Sequence, residues 1–322
     1  MTKQARGYQS TLMIGFESAY RTQPSTPAGI LLPFNTNGLK SSREKNTPAT
    51  IFNSRNPVEP FDGFTTVNGD IVVPLDAEAF GWWLAACFGS PVTTGASAPY
   101  SHVFKVPDGQ PSFAVEKKLA LTPVVYPRCD GVKINSMSFT AGGSGEATVS
   151  LSCEGANETL ESAPLDATPV TPSFDRFSNF MAALKVGGTV VAESPSVSLQ
   201  INNQLDTGED NFCLGSGGVR GDLPEGIVGV SGTMTTLFKN RTYMDMAMDG
   251  TETSLELKWI KGTKSLTVML AELQFARNTP AIEGPQGIKL ELPFQSYHRA
   301  DAANSVVVVT LVNSTSGYPT GV

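Results

Sequence analysis

Charge is scarce in this chain of 322 residues: 16% of positions are Asp, Glu, Lys or Arg, and the net charge is −7 at pH 7. So few cations leave no footprint for tight nucleic-acid binding, which rests on Lys and Arg at the phosphates. A surface that nucleic acid slides past stays compatible with this composition. Histidine is scarcer still. His102 and His298 are the only two, and neither has a metal-type partner two to four residues away, so no metal centre is expected. The four cysteines, Cys87, Cys129, Cys153 and Cys213, show no CxxC spacing. With Cys87 on an apolar helix face and Cys153 on an alternating strand, they read as buried thiols rather than disulfides. No apolar run is long enough to span a bilayer, and the first ten residues lack the apolar stretch of a signal peptide. The expectation is a chain made and folded in a cytoplasm, without a membrane partner.

Catalytic signatures are missing too. There is no GxSxG elbow to support a Ser-His-Asp triad. The glycine-rich loop from Gly215 to Gly221 lacks the Lys-Ser/Thr pair of a phosphate loop, and Asp222-Leu-Pro follows it instead of a helix. It reads as a flexible loop, not a nucleotide cradle. Arg220-Gly-Asp222 matches an adhesion tripeptide, a match common by chance. Trp83 falls in an inward helical stripe with Trp82 as its half-exposed neighbour, which favours core packing over a carbohydrate platform. The acidic residues Asp70, Glu146, Glu154, Glu283 and Glu291 are scattered in or beside predicted strands and read as solvated strand faces. No enzyme activity and no cofactor are expected.

What the chain does have is glycine (31), proline (22) and recurrent Ser and Thr, a mixture that favours many short strands joined by turns. Its length allows one to three domains and a sizeable core. One β-rich module reads as written twice. Val67-Asn-Gly69, the strand-like Ile71, Val73 and Leu75, and a helix through Phe80 and Leu84 form the first copy. Val230-Ser-Gly232, then Met234, Thr236 and Phe238, and a helix through Tyr243 and Ala247 repeat it at a constant offset of 163. Downstream, Val132, Ile134, Met137 and Phe139 match Val268, Leu270, Leu273 and Phe275 at an offset of 136. Both sets break period-two alternation at the same place, as a shared β-bulge would make them do. Return strands alternate through Val149, Leu151 and Cys153, and through Ile288, Leu290 and Leu292.

Residues 1–30, polar with one strand candidate from Leu12 to Phe16, read as an N-terminal arm that needs a partner to order. The first module covers 31–160 and opens on a strand over 31–39. A linker covers 161–175, the second module 176–298, and a C-terminal arm 299–322. Both modules carry a long excursion without sustained period, 40–66 in one and 206–227 in the other. Asp76 is placed to cap the first helix, which ends before Gly89 and turns Phe80, Trp83, Leu84, Cys87 and Phe88 to one face. The second helix follows Asn240, carries Tyr243, Met244, Ala247 and Met248 inward, and stops at Gly250. The apolar run Ser305 to Asn313 would be an aggregation hazard if exposed, so it pairs within its own subunit or against a neighbour.

Several stretches taken together resemble the tail tube (major tail) proteins of long-tailed bacteriophages. They are Leu32-Pro-Phe-Asn-Thr-Asn, Arg55-Asn-Pro, Gly69-Asp-Ile-Val-Val-Pro-Leu-Asp, Phe80-Gly-Trp-Trp-Leu and Gly89-Ser-Pro. Tyr100-Ser-His-Val-Phe-Lys-Val, Asn211-Phe, Gly221-Asp-Leu-Pro-Glu-Gly and Glu283-Gly-Pro-Gln-Gly-Ile extend the likeness over roughly 7–300. The resemblance implies a mainly β fold, a β-sandwich or half-barrel with short flanking helices. Such modules contribute strands to the inner β-barrel of a ring, and the rings stack into the virion's tail tube, the conduit for double-stranded DNA ejected into the host. Partners so implied are further copies of the chain, a tape measure protein, a tail terminator and distal tail proteins, with assembly in the host bacterial cytoplasm.

In that family the long loops reach the adjacent ring. Arg43, Lys45 and Arg55 of the first excursion, and Asp206, Glu209, Asp210, Arg220 and Asp222 of the second, are therefore the candidate inter-ring contacts. Asp70, Glu146, Glu154, Glu283 and Glu291 are the candidates for an acidic lumen that DNA passes without sticking, and the terminal arms are expected to bridge subunits. A ring is ordinarily built from six modules, so a two-module chain needs three copies. A trimer with pseudo-sixfold symmetry is preferred here over a hexamer. Two other classes compete. A virion decoration or receptor-binding protein built from tandem β-sandwiches predicts exposed aromatic clusters in the loops, and a hydrolase on a β-scaffold predicts a clustered carboxylate pair or histidine site.

Overall fold

In the computed structural model, the described residues are 4–282, 284–299 and 305–320. The first half carries β1 (Thr11–Phe16), β2 (Ile30–Leu32), β3 (Thr36–Asn37), β4 (Lys40–Asn46), β5 (Phe61–Pro74) and helix α1 (Phe80–Phe88). It continues with β6 (Val92–Thr94), β7 (Tyr100–Lys105), β8 (Phe113–Lys118), β9 (Tyr126–Gly142), β10 (Thr148–Gly155) and β11 (Asn157–Glu161). The second half carries β12 (Ala182–Val186), β13 (Thr189–Val190), β14 (Ser196–Asn202), β15 (Gly229–Leu237) and helix α2 (Thr242–Asp249). After α2 come β16 (Thr253–Lys261), β17 (Lys264–Phe275), β18 (Lys289–Ser296) and β19 (Val308–Asn313). The fold is mainly β, and the named strands pair antiparallel in one linked array that does not close on itself.

A central sheet runs through both halves. β3 and β4 pair with β5, β5 with β10, and β10 with β9. β9 then pairs over seven residues with β14, which pairs with β15, then β18, then β17. The order β4–β5–β10–β9 thus recurs as β14–β15–β18–β17. Strands such as β10, β14 and β18 alternate strictly, one set of side chains in the core and the other on a polar face. The long strands β9 and β17 also enter flanking sheets. The N-terminal part of β9 joins β2–β1–β8 and β11, and that of β17 joins β13–β12–β16 and β19. The β6–β7 hairpin of the first half completes the second flanking sheet by pairing with β19.

The repeated Val-x-Gly triplet has a steric origin. A Cβ on Gly69 would run into the carbonyl oxygen of Gly38, and a Cβ on Gly232 into that of Ser198, on the corresponding neighbouring strand. At both points only glycine lets the strands approach so closely.

Downstream, hydrogen bonding uses a different offset from the one that apolar matching suggests. Ile134 lies opposite Cys153 as Phe275 lies opposite Phe294, and Val149 opposite Val73 as Leu290 opposite Thr236. Both hairpins therefore correspond at 141, not at the 136 read for β9 and β17 or the slip that pairs Val149 with Ile288. A period-two pattern interrupted by a bulge matches itself at several offsets, and only the pairing partners choose between them. Both strands are bulged where alternation breaks. Asn135 is the extra residue of β9 against β10, and in β17 Ala271 and Glu272 together stand opposite the single Ser254 of β16. The counterpart of the second bulge is at Asp130–Gly131, facing β8.

Helix α1 wedges between sheets, Trp83 meeting Phe113 of β8 edge-on at 6.3 Å and Phe80 meeting Phe139 of β9 at 6.0 Å. The core crosses the halves, with Phe139 against Trp259 of β16 at 6.4 Å. Asp76 accepts the N–H groups of Glu78 and Ala79 at 2.7 Å each. It closes the turn before the helix, which starts later, at Phe80.

Several expectations need correction. Residues 4–30 are no waiting arm: β1 is an interior strand between β2 and β8, with Leu12 and Ile14 buried. Residues 40–66 are mostly a hairpin, since β4 and the start of β5 pair there, leaving 47–60 as the loop. Of the C-terminal segment, residues 305–320 fold into their own chain, as β19 between β17 and β7 and with Tyr318 buried beneath α1, and 300–304 and 321–322 lie outside the described residues. Cys213 is exposed, unlike the three buried thiols.

Candidate functional site

The polar face of the central sheet is built by the non-core half of each alternating strand. Ser136, Ser138 and Thr140 on β9 alternate with buried Met137, Phe139 and Ala141; Ser196, Ser198 and Gln200 on β14 alternate with buried Val197, Leu199 and Ile201. Ser150 and Ser152 of β10 and Ser231, Thr233 and Thr235 of β15 extend the band. Gln200 donates to Ser138 across the β9–β14 junction at 3.4 Å. Through these four strands the middle of the face carries hydroxyls and amides but no formal charge. Charged groups flank it: Lys40 and Asp70 on β4 and β5, and Lys289 and Glu291 on β18, all exposed.

The five acidic lumen candidates therefore do not form one ring. Asp70 and Glu291 lie on the polar face at its two sides. Glu146 sits in the β9–β10 turn, bridged to Arg176 at 2.9 Å and accepting from Asn35 at 2.8 Å. Glu154, at the end of β10, turns to Arg220. Glu283 lies outside the described residues.

The two excursions meet within the chain. Phe64 of β5 stacks on Phe212 at 4.3 Å, and Thr65 N–H donates to Gly218 O at 2.8 Å. Arg43 donates to Thr65 Oγ1 and to Gly217 O at 2.9 and 3.0 Å, while Lys45 pairs with Asp62. Lys133 anchors the far end of the second loop through Leu223 O and Glu225. Burial pushes the Glu225 pKa up, but the bonds from Lys133 and the Gln110 N–H together hold it below its ordinary value.

Arg220, expected at a neighbouring ring, is instead 3% exposed. It donates to Gly155 O and Thr207 O and lies over the Phe212 ring at 5.3 Å. An arginine so enclosed organises its own loop. Of the remaining candidates, Arg55, Asp206, Glu209, Asp210 and Asp222 are exposed. Asp206 accepts the Gly208 N–H at 2.9 Å, which holds its carboxyl below the usual range. Beside them Ile51, Phe52 and Leu214 project apolar side chains into solvent.

The hydroxyl band escapes a search for charged residues, though its signal is in the chain as Ser136-Met-Ser138-Phe-Thr140 and Ser196-Val-Ser198-Leu. It is the polar half of the alternation that marks the core.

A search of curated proteins finds no match. A family model described as "Phage tail tube protein" matches residues 7–296. That match spans nearly the whole chain and agrees with its mainly β architecture: the chain belongs to the phage tail tube protein family.

Proposed function

We propose that the chain is the repeating ring subunit of a phage tail tube, built as two copies of one module. The observation that carries this reading is the β9–β14 junction. It joins the strand order β4–β5–β10–β9 to its repeat edge to edge, which is the joint a closed ring of such modules needs at every boundary. Three copies then supply six modules with pseudo-sixfold symmetry, and closure covers the open edges.

The polar face of the central sheet lines the lumen in this reading. Double-stranded DNA passes it on ejection into the host, because a hydroxyl surface under a net negative chain offers few cations to hold phosphates. The solvent-facing Ile51, Phe52 and Leu214, with the charged residues around them, are covered when the next ring stacks. Assembly takes place in the host cytoplasm around a tape measure protein, bounded by distal tail proteins and a terminator. Negative-stain microscopy of the purified protein tests the reading, with native mass spectrometry to count chains per ring. Stacked rings of three chains around a central hole are expected; six chains overturn the trimer, and persistent monomers overturn the tube.

A further inference from the structure

The hairpins β9–β10 and β17–β18 have the same length, residue for residue at the offset of 141, yet β9 runs to Gly142 and β17 stops at Phe275. Residues 277–282 are the counterparts of 136–141 and form no strand. Their flanks differ. Residues 136–142 have β14 along their outer side, whereas among the described residues no strand pairs along 277–282.

The counterpart of β14 is the strand made of β3 and β4, at an offset of 160. Ser196 opposite Thr235 answers to Thr36 opposite Val72, and Asn202 opposite Gly229 to Ser42 opposite Thr66. Between them Gly38 donates to Asp70 O at 2.8 Å, keeping the register continuous. β14 is paired on both sides, while β3 and β4 pair only with β5 among the named strands.

We propose that residues 277–282 of one copy fold as a strand onto the β3–β4 edge of a second copy, in the register of the β9–β14 junction. Asn278 then lies opposite Ser41, Thr279 opposite Lys40 and Pro280 opposite Leu39. The inference rests on the tube reading, since the second copy is the ring neighbour.

One detail of the edge fits this register independently. In the internal junction Asn203 N–H donates to Asn135 O at 2.7 Å, so Leu199 and Phe139, two pairs of that set further on, also exchange hydrogen bonds. Their counterparts are Leu39 and Pro280. Proline brings no N–H, which would leave the Leu39 carbonyl without its strand donor. That carbonyl already accepts from Lys117 Nζ at 2.5 Å. Two edge donors are held by side chains that an arriving strand can replace: Leu39 N–H by Asn37 Oδ1 at 3.0 Å, and Ser41 N–H by Glu158 at 3.3 Å. Docking exchanges these bonds for backbone ones, and the lone chain keeps a blunted edge.

Cross-linking tests the register. In a Cys213→Ser background, Lys40→Cys with Thr279→Cys places two exposed side chains in a non-hydrogen-bonded pair, with Cα atoms about 4.5 Å apart, inside disulfide range. Oxidised tubes should give a ladder of covalently joined chains on a non-reducing gel. Lys40→Cys with Arg277→Cys, two residues out of register on the same side, should give at least about tenfold less. Amide exchange on the unsubstituted protein is the second readout. Residues 277–282 should exchange on the order of 100-fold more slowly in tubes than in monomers. Tubes in which the out-of-register pair links as readily, or in which 277–282 stay unprotected, overturn the register and leave the tube reading standing. Failure of the unsubstituted chain to assemble overturns both.

Discussion

Buried Arg220 and half-buried Glu154 lie 3.6 Å apart, joining the 206–227 loop to the end of β10. Burial pushes the Glu154 carboxyl up, and the guanidinium offsets part of that rise. Arg220→Ala leaves a shielded carboxylate without its counter-ion, a loss of about 3–5 kcal/mol. Glu154→Gln keeps an acceptor and should cost less. Urea unfolding should show the midpoint falling further in the first variant at unchanged slope.

Gly69→Ala and Gly232→Ala each place a methyl group against the backbone carbonyl of the neighbouring strand. Each should destabilise by about 1–3 kcal/mol, the usual cost of overpacking. Gly109→Ala, where a Cβ meets nothing within 4 Å, is the control and should leave the melting temperature within a degree or two.

Asp76 is 1% exposed, and burial, against the pull of the N–H groups of Glu78 and Ala79, raises its pKa from 3.8 to about 6. Between those values the folded chain binds more protons than the unfolded one, so stability falls as pH rises through that window. At pH 7 the penalty is fully present. Asp76→Asn retains the acceptor without the charge and should gain about 1–3 kcal/mol at pH 7 and little below the unfolded pKa. Thermal unfolding from acid to neutral pH reads this directly.

Tyr318 holds the C-terminal segment under α1. Its hydroxyl donates to Glu78 O at 2.7 Å and accepts from Asn313 Nδ2 at 2.5 Å, and its ring meets Trp82 at 5.1 Å. Tyr318→Ala should cost about 3–5 kcal/mol and Tyr318→Phe about 1 kcal/mol. A neutral result for the alanine variant in denaturant titration would mean the segment contributes nothing to its own subunit.

Alternation made the core strands legible. Val149, Leu151 and Cys153 announce β10, and Phe80, Trp83 and Leu84 announce α1. β4 was illegible for the opposite reason. Lys-Ser-Ser-Arg-Glu-Lys-Asn has no apolar position and no fully buried residue, so its strand conformation comes from pairing with β5. Glu154 and Arg220 each read as surface charges, because separation along the chain carries no sign of the contact that buries Arg220 and half-buries Glu154.

The amino-acid sequence alone determined the mainly β class, the strand-and-helix pattern read twice, and the repeated Val-x-Gly triplets. Those are local: period, propensity and the absence of a side chain. Tertiary structure decided the offset of 141, the exchange of the β6–β7 hairpin into the second flanking sheet, and the uncharged middle of the polar face. These depend on which strand lies beside which. A period-two pattern fits several registers equally well, and only hydrogen-bonded neighbours choose one.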